Sequence, residues 1–366
     1  MNRYHASLAE QHPLPASPAP SIVDAGTSRV MLKKTPHHLT TNSRAGSSQK
    51  PLRILFTSYR SHKFTGGQGV YLRLATSALA DLGHSVSVVS GPPYPDLDSR
   101  VELIKLPSLD LYERPRTFAG MPPPPVADMT TRIDWYEYLD HISGGFPEPY
   151  TFGRRFARFI KSNPGRFDVI HDNQTLCYGL LDAAKLGIPV IGMIHHPITY
   201  DRRIALDAAD SWKLRLLISR WYSFLRMQKK VARQLDPVIV VSKRTEDDVV
   251  KDFGLDRSRL KLVYHGVDHE FWSPRTTISR SKNRLVTVAS ADVPLKGLIY
   301  LLEALAILRP SWPKLRLTVI GKLREGPTKK RIDALQLADR VEFISGVTDE
   351  EIAQLYAKAT IAVTPS

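Results

Sequence analysis

The chain has 366 residues, 42% of them apolar, which is ample for two packed cores; its one cysteine, Cys177, excludes an internal disulfide framework and fits a reducing compartment. The formal charge of +15 divides as +4 over residues 1–50, +6 over 51–277 and +5 over 278–366. No region concentrates the basic excess of a nucleic-acid binder, and the spread suits a protein that meets anions such as phosphates or an acidic membrane surface.

Residues 1–50 repeat Pro, Ser, Thr, His and Ala without a sustained period (PLPASPAPS, TTNSRAGSSQ) and read as a disordered extension. No apolar signal core is found, and apolar runs stay far below the ~20 residues of a bilayer span, so a cytoplasmic location is expected. Ordered structure is expected from PLRILFTSY, whose run Ile54–Phe56 marks a buried strand. A Gly-rich loop (Gly66, Gly67, Gly69) follows, then a helix in which Val70, Leu74, Ala78 and Leu82 recur at helical spacing and Gly83 supplies the stop. HSVSVVSG, FDVIHDN, PVIGMIHH, PVIVVS and KLVYHGVD read as further strands separated by helix-length segments, the pattern of a parallel, doubly wound sheet.

Residues 107–150 read as a long irregular loop whose aromatics (WYEYLDHISGGFPEPY) either shape a substrate pocket or pack on the surface. WKLRLLISRWYSFLRMQKKVARQL carries seven Lys or Arg and no acid between Asp210 and Asp236. On a helix, Leu216, Leu217, Tyr222 and Leu225 would face a core or an acyl boundary, so a domain helix and a peripheral contact with an anionic membrane both fit. After the polar linker RTTISRSKN the pattern restarts: RLVTVAS, LRLTVIG, VEFISG and IAVTPS read as four strands, with helices near 297–309, 327–336 and 349–358. The expected division is therefore 1–50 (extension), 51–275 (first doubly wound domain) and 276–366 (second, partial).

GGQG after the first strand is not a dinucleotide fingerprint. Leu72 stands where the third small residue belongs, and the second strand ends on Ser90-Gly91 with no acidic residue for a ribose. No G-x-x-x-x-G-K-[ST] occurs either. What remains is a Gly loop, Gly66, Gly67 and Gln68, at a helix N-terminus that favours an anion. No metal cluster is visible, since HDN at 171–173 has no partner at ligand spacing, and Cys177 reads as a small buried filler.

Taken in order, the strand, Gly-Gly loop and helix, LGHSVSVVS, PVIGMIHH, VIVVSKRTEDDV, KLVYHGVDHEFWSP, DVPLKGLIYLLEAL, LRLTVIG and DRVEFISGVTDEEIAQLYAKATIAVTPS resemble family 4 nucleotide-sugar glycosyltransferases of the GT-B type. The resemblance implies two Rossmann-like domains, the first binding a saccharide or lipid-linked acceptor, the second the nucleotide-sugar donor. It implies a retaining, metal-independent sugar transfer with no resident cofactor. It places Lys296 on the donor diphosphate, a position where a cation ahead of a helix N-terminus is also physically apt. The family's Arg five residues earlier is Ala291 here. Gly346 and Val347 match the loop holding the base, and Gly321 the strand end beside the nucleotide, although the usual G-x-G-P is the longer GKLREGP. His195 or His196 matches the histidine facing the donor sugar, with His195 favoured. The family's paired carboxylates follow the strand matched by IAVTPS, which is the last stretch of this sequence, so weak or absent turnover is expected. A non-catalytic sugar-nucleotide-binding remnant and a sugar-nucleotide epimerase are the rival readings.

Overall fold

The computed structural model describes residues 50–61, 67–112, 124–289, 291–292 and 296–365. The expected extension before Lys50, and Gly66, lie outside these residues.

Strands β1 (Arg53–Ser58), β2 (Ser85–Ser90), β3 (Glu102–Lys105), β4 (Val169–Asp172), β5 (Val190–Ile194), β6 (Val238–Val240) and β7 (Leu260–Leu262) form one sheet in the order β3-β2-β1-β4-β5-β6-β7. Every pairing is parallel. In β1 and β2 all residues but the first are buried, as strands covered on both faces require. Helices α1 (Gly67–Asp81), α2 (Arg132–Ile142), α3 (Glu148–Lys161), α4 (Tyr178–Lys185), α5 (Thr199–Asp207), α6 (Trp212–Trp221), α7 (Leu225–Ala232) and α8 (Lys243–Phe253) accompany this sheet. Its core centres on Leu55, Val89, Phe156, Ile160, Ile170, Leu180 and Val238.

Two glycines bring α3 and α4 together. A Cβ on Gly179 would lie 2.5 Å from the Gly153 carbonyl oxygen and 2.8 Å from the Phe156 ring. One on Gly153 would lie 2.7 Å from the Cβ of Cys177, which is buried against this contact, its thiol pushed by burial up to about 12. Cys177 is the inert filler expected.

The second sheet holds β8 (Arg284–Val288), β9 (Arg316–Ile320), β10 (Val341–Ile344) and β11 (Ile361–Ala362), all parallel, in the order β10-β9-β8-β11. Helices α9 (Leu298–Leu308), α10 (Pro327–Ala334) and α11 (Asp349–Lys358) fall where the sequence places them. Leu285, Leu302, Leu305, Leu317, Val319 and Leu337 form its core. The fold is thus α/β with two doubly wound parallel sheets.

Several expectations are corrected. Residues 107–150 are not one irregular loop, because α2 starts on a Thr131–Asp134 capping box and α3 begins at Glu148. The buried face of α2 is Ile133, Asp134 and Glu137, so acids stand where a hydrophobic pattern would mark a core face. On α1 the stripe Val70, Leu74 and Ala78 faces outward; Leu72 and Thr76 are the buried positions, and Leu82 lies past the helix end. The basic segment is broken into α6, a 3-10 turn at Tyr222–Phe224 and α7; Tyr222 and Leu225 are buried while Leu216 and Leu217 are exposed. Of KLVYHGVD only Lys261 and Leu262 are strand, at the end of β7, and β3 is a strand not expected from the sequence.

In each sheet the strand order reverses beside its first strand, between β1 and β4 and between β8 and β11. At such a point the loops leaving the carboxyl ends part in opposite directions and open a crevice.

Candidate functional site

At the first reversal, β4 ends on Asp172, which is fully buried. Its Oδ1 accepts from Thr57 Oγ1 (2.8 Å), Thr175 N (3.1 Å) and Thr175 Oγ1 (2.5 Å), and its Oδ2 from Leu176 N (3.0 Å). Burial nevertheless pushes this carboxyl up to about 6, against the downward pull of those donors. The carboxyl fixes the turn after β4, in which Gln174 and Leu176 hold left-handed backbone, at φ 57° and 44°.

Two side chains of that turn build the site. Gln174 clamps the end of β5: its Oε1 accepts from His195 N (2.7 Å) and His196 N (3.2 Å), and its Nε2 donates to the His196 carbonyl (2.5 Å). Asn173 Nδ2 donates to the Gln68 carbonyl (3.2 Å), which turns its Oδ1 toward His195 Nε2 at 2.7 Å. An amide oxygen only accepts, so His195 Nε2 carries the ring proton. The lone pair on His195 Nδ1 then receives the Nε2–H of His265 at 3.3 Å.

The rings form a continuous cluster of tilted, edge-on and stacked contacts. Phe56 lies 4.5 Å from His171, and Tyr71 presents an edge to His195 at 4.8 Å. His195 and His265 stack at 5.2 Å and 22°, and the Tyr71 hydroxyl meets His171 Nε2 at 3.1 Å. Burial, then the neighbouring His265 and His171, lower His195 to about 3; burial lowers His171 to about 4 and also lowers His265. The cluster is therefore uncharged near neutrality and offers hydrogen bonds rather than a readily donated proton. His196 points away, half-exposed, and meets Asp201 Oδ1 at 2.8 Å. Of the two histidines left open by the sequence, His195 is the inward one.

The carboxyl ends of β1, β2 and β3 border a cavity of about 10 Å³, lined by Tyr59, Gly91, Ser108, Glu148 and Arg155 among others. Glu148 faces Arg60 at 3.2 Å, yet burial pushes it up to about 8, so it keeps its proton at neutral pH. Arg155 pairs with Glu137 (2.5 Å) and Asp134 (2.6 Å) from α2.

At the second reversal Lys296 is exposed and precedes Gly297, the left-handed N-cap of α9 (φ 61°). A Cβ on Gly297 would lie 2.4 Å from the Pro365 carbonyl oxygen, so only glycine lets the two turns approach. Ala291 is buried, and its neighbour Asp292 exchanges hydrogen bonds with Thr328 at the start of α10 (3.0 and 2.9 Å). Gly321 directly follows β9, its N–H donating to the Ile344 carbonyl at 2.8 Å. Gly346 has φ 74° with open space around it, and Val347 packs on Val286, Ile320 and Ala359. Gln68, next to Gly67, and His195 are thus joined through Asn173, whereas Lys296, Gly321, Gly346 and Val347 gather on the other sheet. No hydrogen bond among the described residues links the two groups; an exposed pair, Arg73 with Asp349 (3.2 Å), joins α1 to α11. Among the described residues, no group of three or more His, Cys, Asp and Glu could hold a metal ion.

Residues 65–271 match the family described as Glycosyltransferase Family 4, and residues 269–366 match Glycosyl transferases group 1. The chain belongs to glycosyltransferase family 4. It is therefore an enzyme of the transferase type. It is 46% identical over 317 residues to the MMP alpha-(1->4)-mannosyltransferase of Mycolicibacterium hassiacum, covering 86% of this chain and 75% of that one. It is 22% identical over 223 residues to the D-inositol 3-phosphate glycosyltransferase of Streptomyces scabiei, spanning 56% of itself and about half (48%) of that relative. The fold of this family 4 member is shared with Anabaena HepE in complex with UDP (TM-score 0.52, 16% identity, 86% of this chain and 74% of that one). It is also shared with the catalytic domain of starch synthase IV from Arabidopsis thaliana bound to ADP and acarbose (TM-score 0.52, 15% identity, 86% and 78%).

Tyr71 and His265 were not singled out from the sequence, and His171 and Asn173 were weighed there only as part of HDN, for a metal. Their contacts span 22 to 105 residues of chain, so no local pattern reveals the cluster they form.

Proposed function

We propose that this chain transfers a mannosyl group, with retention and without a metal or resident cofactor, from a nucleoside diphosphate mannose donor to a saccharide or lipid-linked hydroxyl, releasing the nucleoside diphosphate. The observation that carries the reading is the 46% identity to a mannosyltransferase across 86% of the chain. The sites at the two reversals support it. A leaving diphosphate needs cations and N–H donors, and Lys296 ahead of the α9 N-terminus offers both. Gly321, Gly346 and Val347 would hold the nucleoside through the backbone. His195, neutral and held on both ring nitrogens, would contact sugar hydroxyls without protonating them. Gly67 and Gln68 would face the phosphate or the acceptor, with Glu148 also at the carboxyl ends of the strands. The exposed Trp212, Leu216 and Leu217 beside the basic residues of α6 are compatible with a peripheral membrane contact in the cytoplasm.

The test is product analysis with GDP-mannose and UDP-glucose against oligomannoside acceptors. Release of free nucleotide with a new α-linked product supports transfer, and the anomeric configuration decides retention. Nucleotide binding without any glycoside would identify a remnant, and an interconverted sugar nucleotide an epimerase.

A further inference from the structure

We propose that His265 is a placeholder, occupying on His195 Nδ1 the position that a donor-sugar hydroxyl takes when the site fills. The inference rests on the donor-site reading above and concerns which atom of His195 meets the sugar. Both nitrogens of His195 are engaged, so any new hydrogen bond must displace one partner. The two partners are unequal. Asn173 is buried, lies 2.7 Å away, and is itself fixed by Nδ2–H to the Gln68 carbonyl and by N–H to the Thr57 carbonyl. Breaking that bond would strand a buried amide oxygen. His265 is exposed, lies 3.3 Å away, and comes from the exposed stretch after β7. Breaking its bond releases an imidazole to water.

A sugar hydroxyl donates to a bare ring nitrogen as readily as an imidazole N–H does. With Nε2–H committed to Asn173, His195 therefore meets the sugar as an acceptor through Nδ1. Tyr71, whose ring lies 4.8 Å from His195 and 5.2 Å from His265, keeps the His195 ring in place when His265 leaves.

The full chain with ¹⁵N-labelled histidine reads the tautomer directly, and calorimetry reads binding of GDP-mannose and UDP-glucose, each against its free nucleotide. The expected free-state spectrum shows His195 protonated on Nε2 and bare on Nδ1. His265→Ala should tighten the sugar nucleotide about three- to tenfold, the release of one net hydrogen bond, and leave the sugar-free nucleotide unchanged. His265→Gln, which keeps a donor toward Nδ1, should stay near wild type. Weaker or unaltered sugar-nucleotide binding in His265→Ala, or a proton on Nδ1, overturns the placeholder. A wild-type chain that binds no sugar nucleotide refutes the donor-site reading and this inference together; one that binds normally while His265→Ala changes nothing refutes the inference alone.

Discussion

Replacing Asp172 with asparagine tests whether burial or hydrogen bonding governs the charge beneath the site. Asparagine keeps an oxygen where Oδ1 accepts from Thr57 Oγ1, Thr175 N and Thr175 Oγ1, but sets its NH₂ against the Leu176 N–H. One buried donor is left unpaired, a loss of about 1–3 kcal/mol. The pH dependence is sharper. Burial raises the folded carboxyl from 3.8 to about 6, so the folded chain holds this proton more tightly than the unfolded chain. The stability it contributes is fully present below about 3.8 and is lost as pH rises through about 6. A gap of about 2 pH units, at about 1.36 kcal/mol each, is about 3 kcal/mol, of which about 1.3 kcal/mol falls between pH 5 and pH 7.

Asparagine has no such proton. The stability difference between wild type and Asp172→Asn should therefore widen by about 1.3 kcal/mol on going from pH 7 to pH 5. Urea unfolding at pH 5, 6 and 7 measures it, and titrating groups common to both proteins cancel in the difference. A difference that narrows as pH falls would mean that the four donors outweigh burial and hold the carboxylate ionised.

Further outcomes are expected elsewhere. Lys296→Ala should weaken nucleotide diphosphate binding by about 1.5–3 kcal/mol by calorimetry, and unchanged affinity in a folded variant would remove Lys296 from the donor site. Arg155→Ala leaves Glu137 and Asp134 buried without their cation and should cost about 3–5 kcal/mol in denaturant unfolding; a loss below 1 kcal/mol would show that α2 is not held by this pair. Gly179→Ala drives a methyl into the Gly153 carbonyl and the Phe156 ring, so about 1–3 kcal/mol should be lost; a neutral change would mean that α3 and α4 separate freely.

The strands were legible because parallel strands covered on both faces are rich in short apolar runs, and the ILF of RILFTS, the valines of SVSVVS and VIGMI announce this locally. Helix α2 was not, because two of its three buried positions are acids, made tolerable by groups elsewhere in the chain: Arg155 for both, Leu109 N for Glu137 and the Thr131 cap for Asp134. The outward stripe of α1 misled for a related reason: Val70, Leu74 and Ala78 have the right period, but Leu72 and Thr76 are what the sheet covers. His195 was visible through the motif it closes. Asn173 lay in view as part of HDN, but its significance depends on where β4 and β5 end relative to each other.

That dependence explains the division between the two sheets under the proposed reading. A sugar is neutral and densely hydroxylated, so its recognition needs uncharged donors and acceptors whose directions are fixed beforehand. Fixing them takes buried contacts between distant segments, which is what Asp172, Gln174 and Asn173 supply around His195. A diphosphate needs charge and free N–H groups, and these come from one lysine, a left-handed glycine and a helix N-terminus within three consecutive residues, Lys296 to Leu298. The second arrangement is local and therefore survives as a short sequence pattern. The first is a property of the folded sheet, and its outermost member, His265, becomes visible only when β5 and β7 are brought to the same edge.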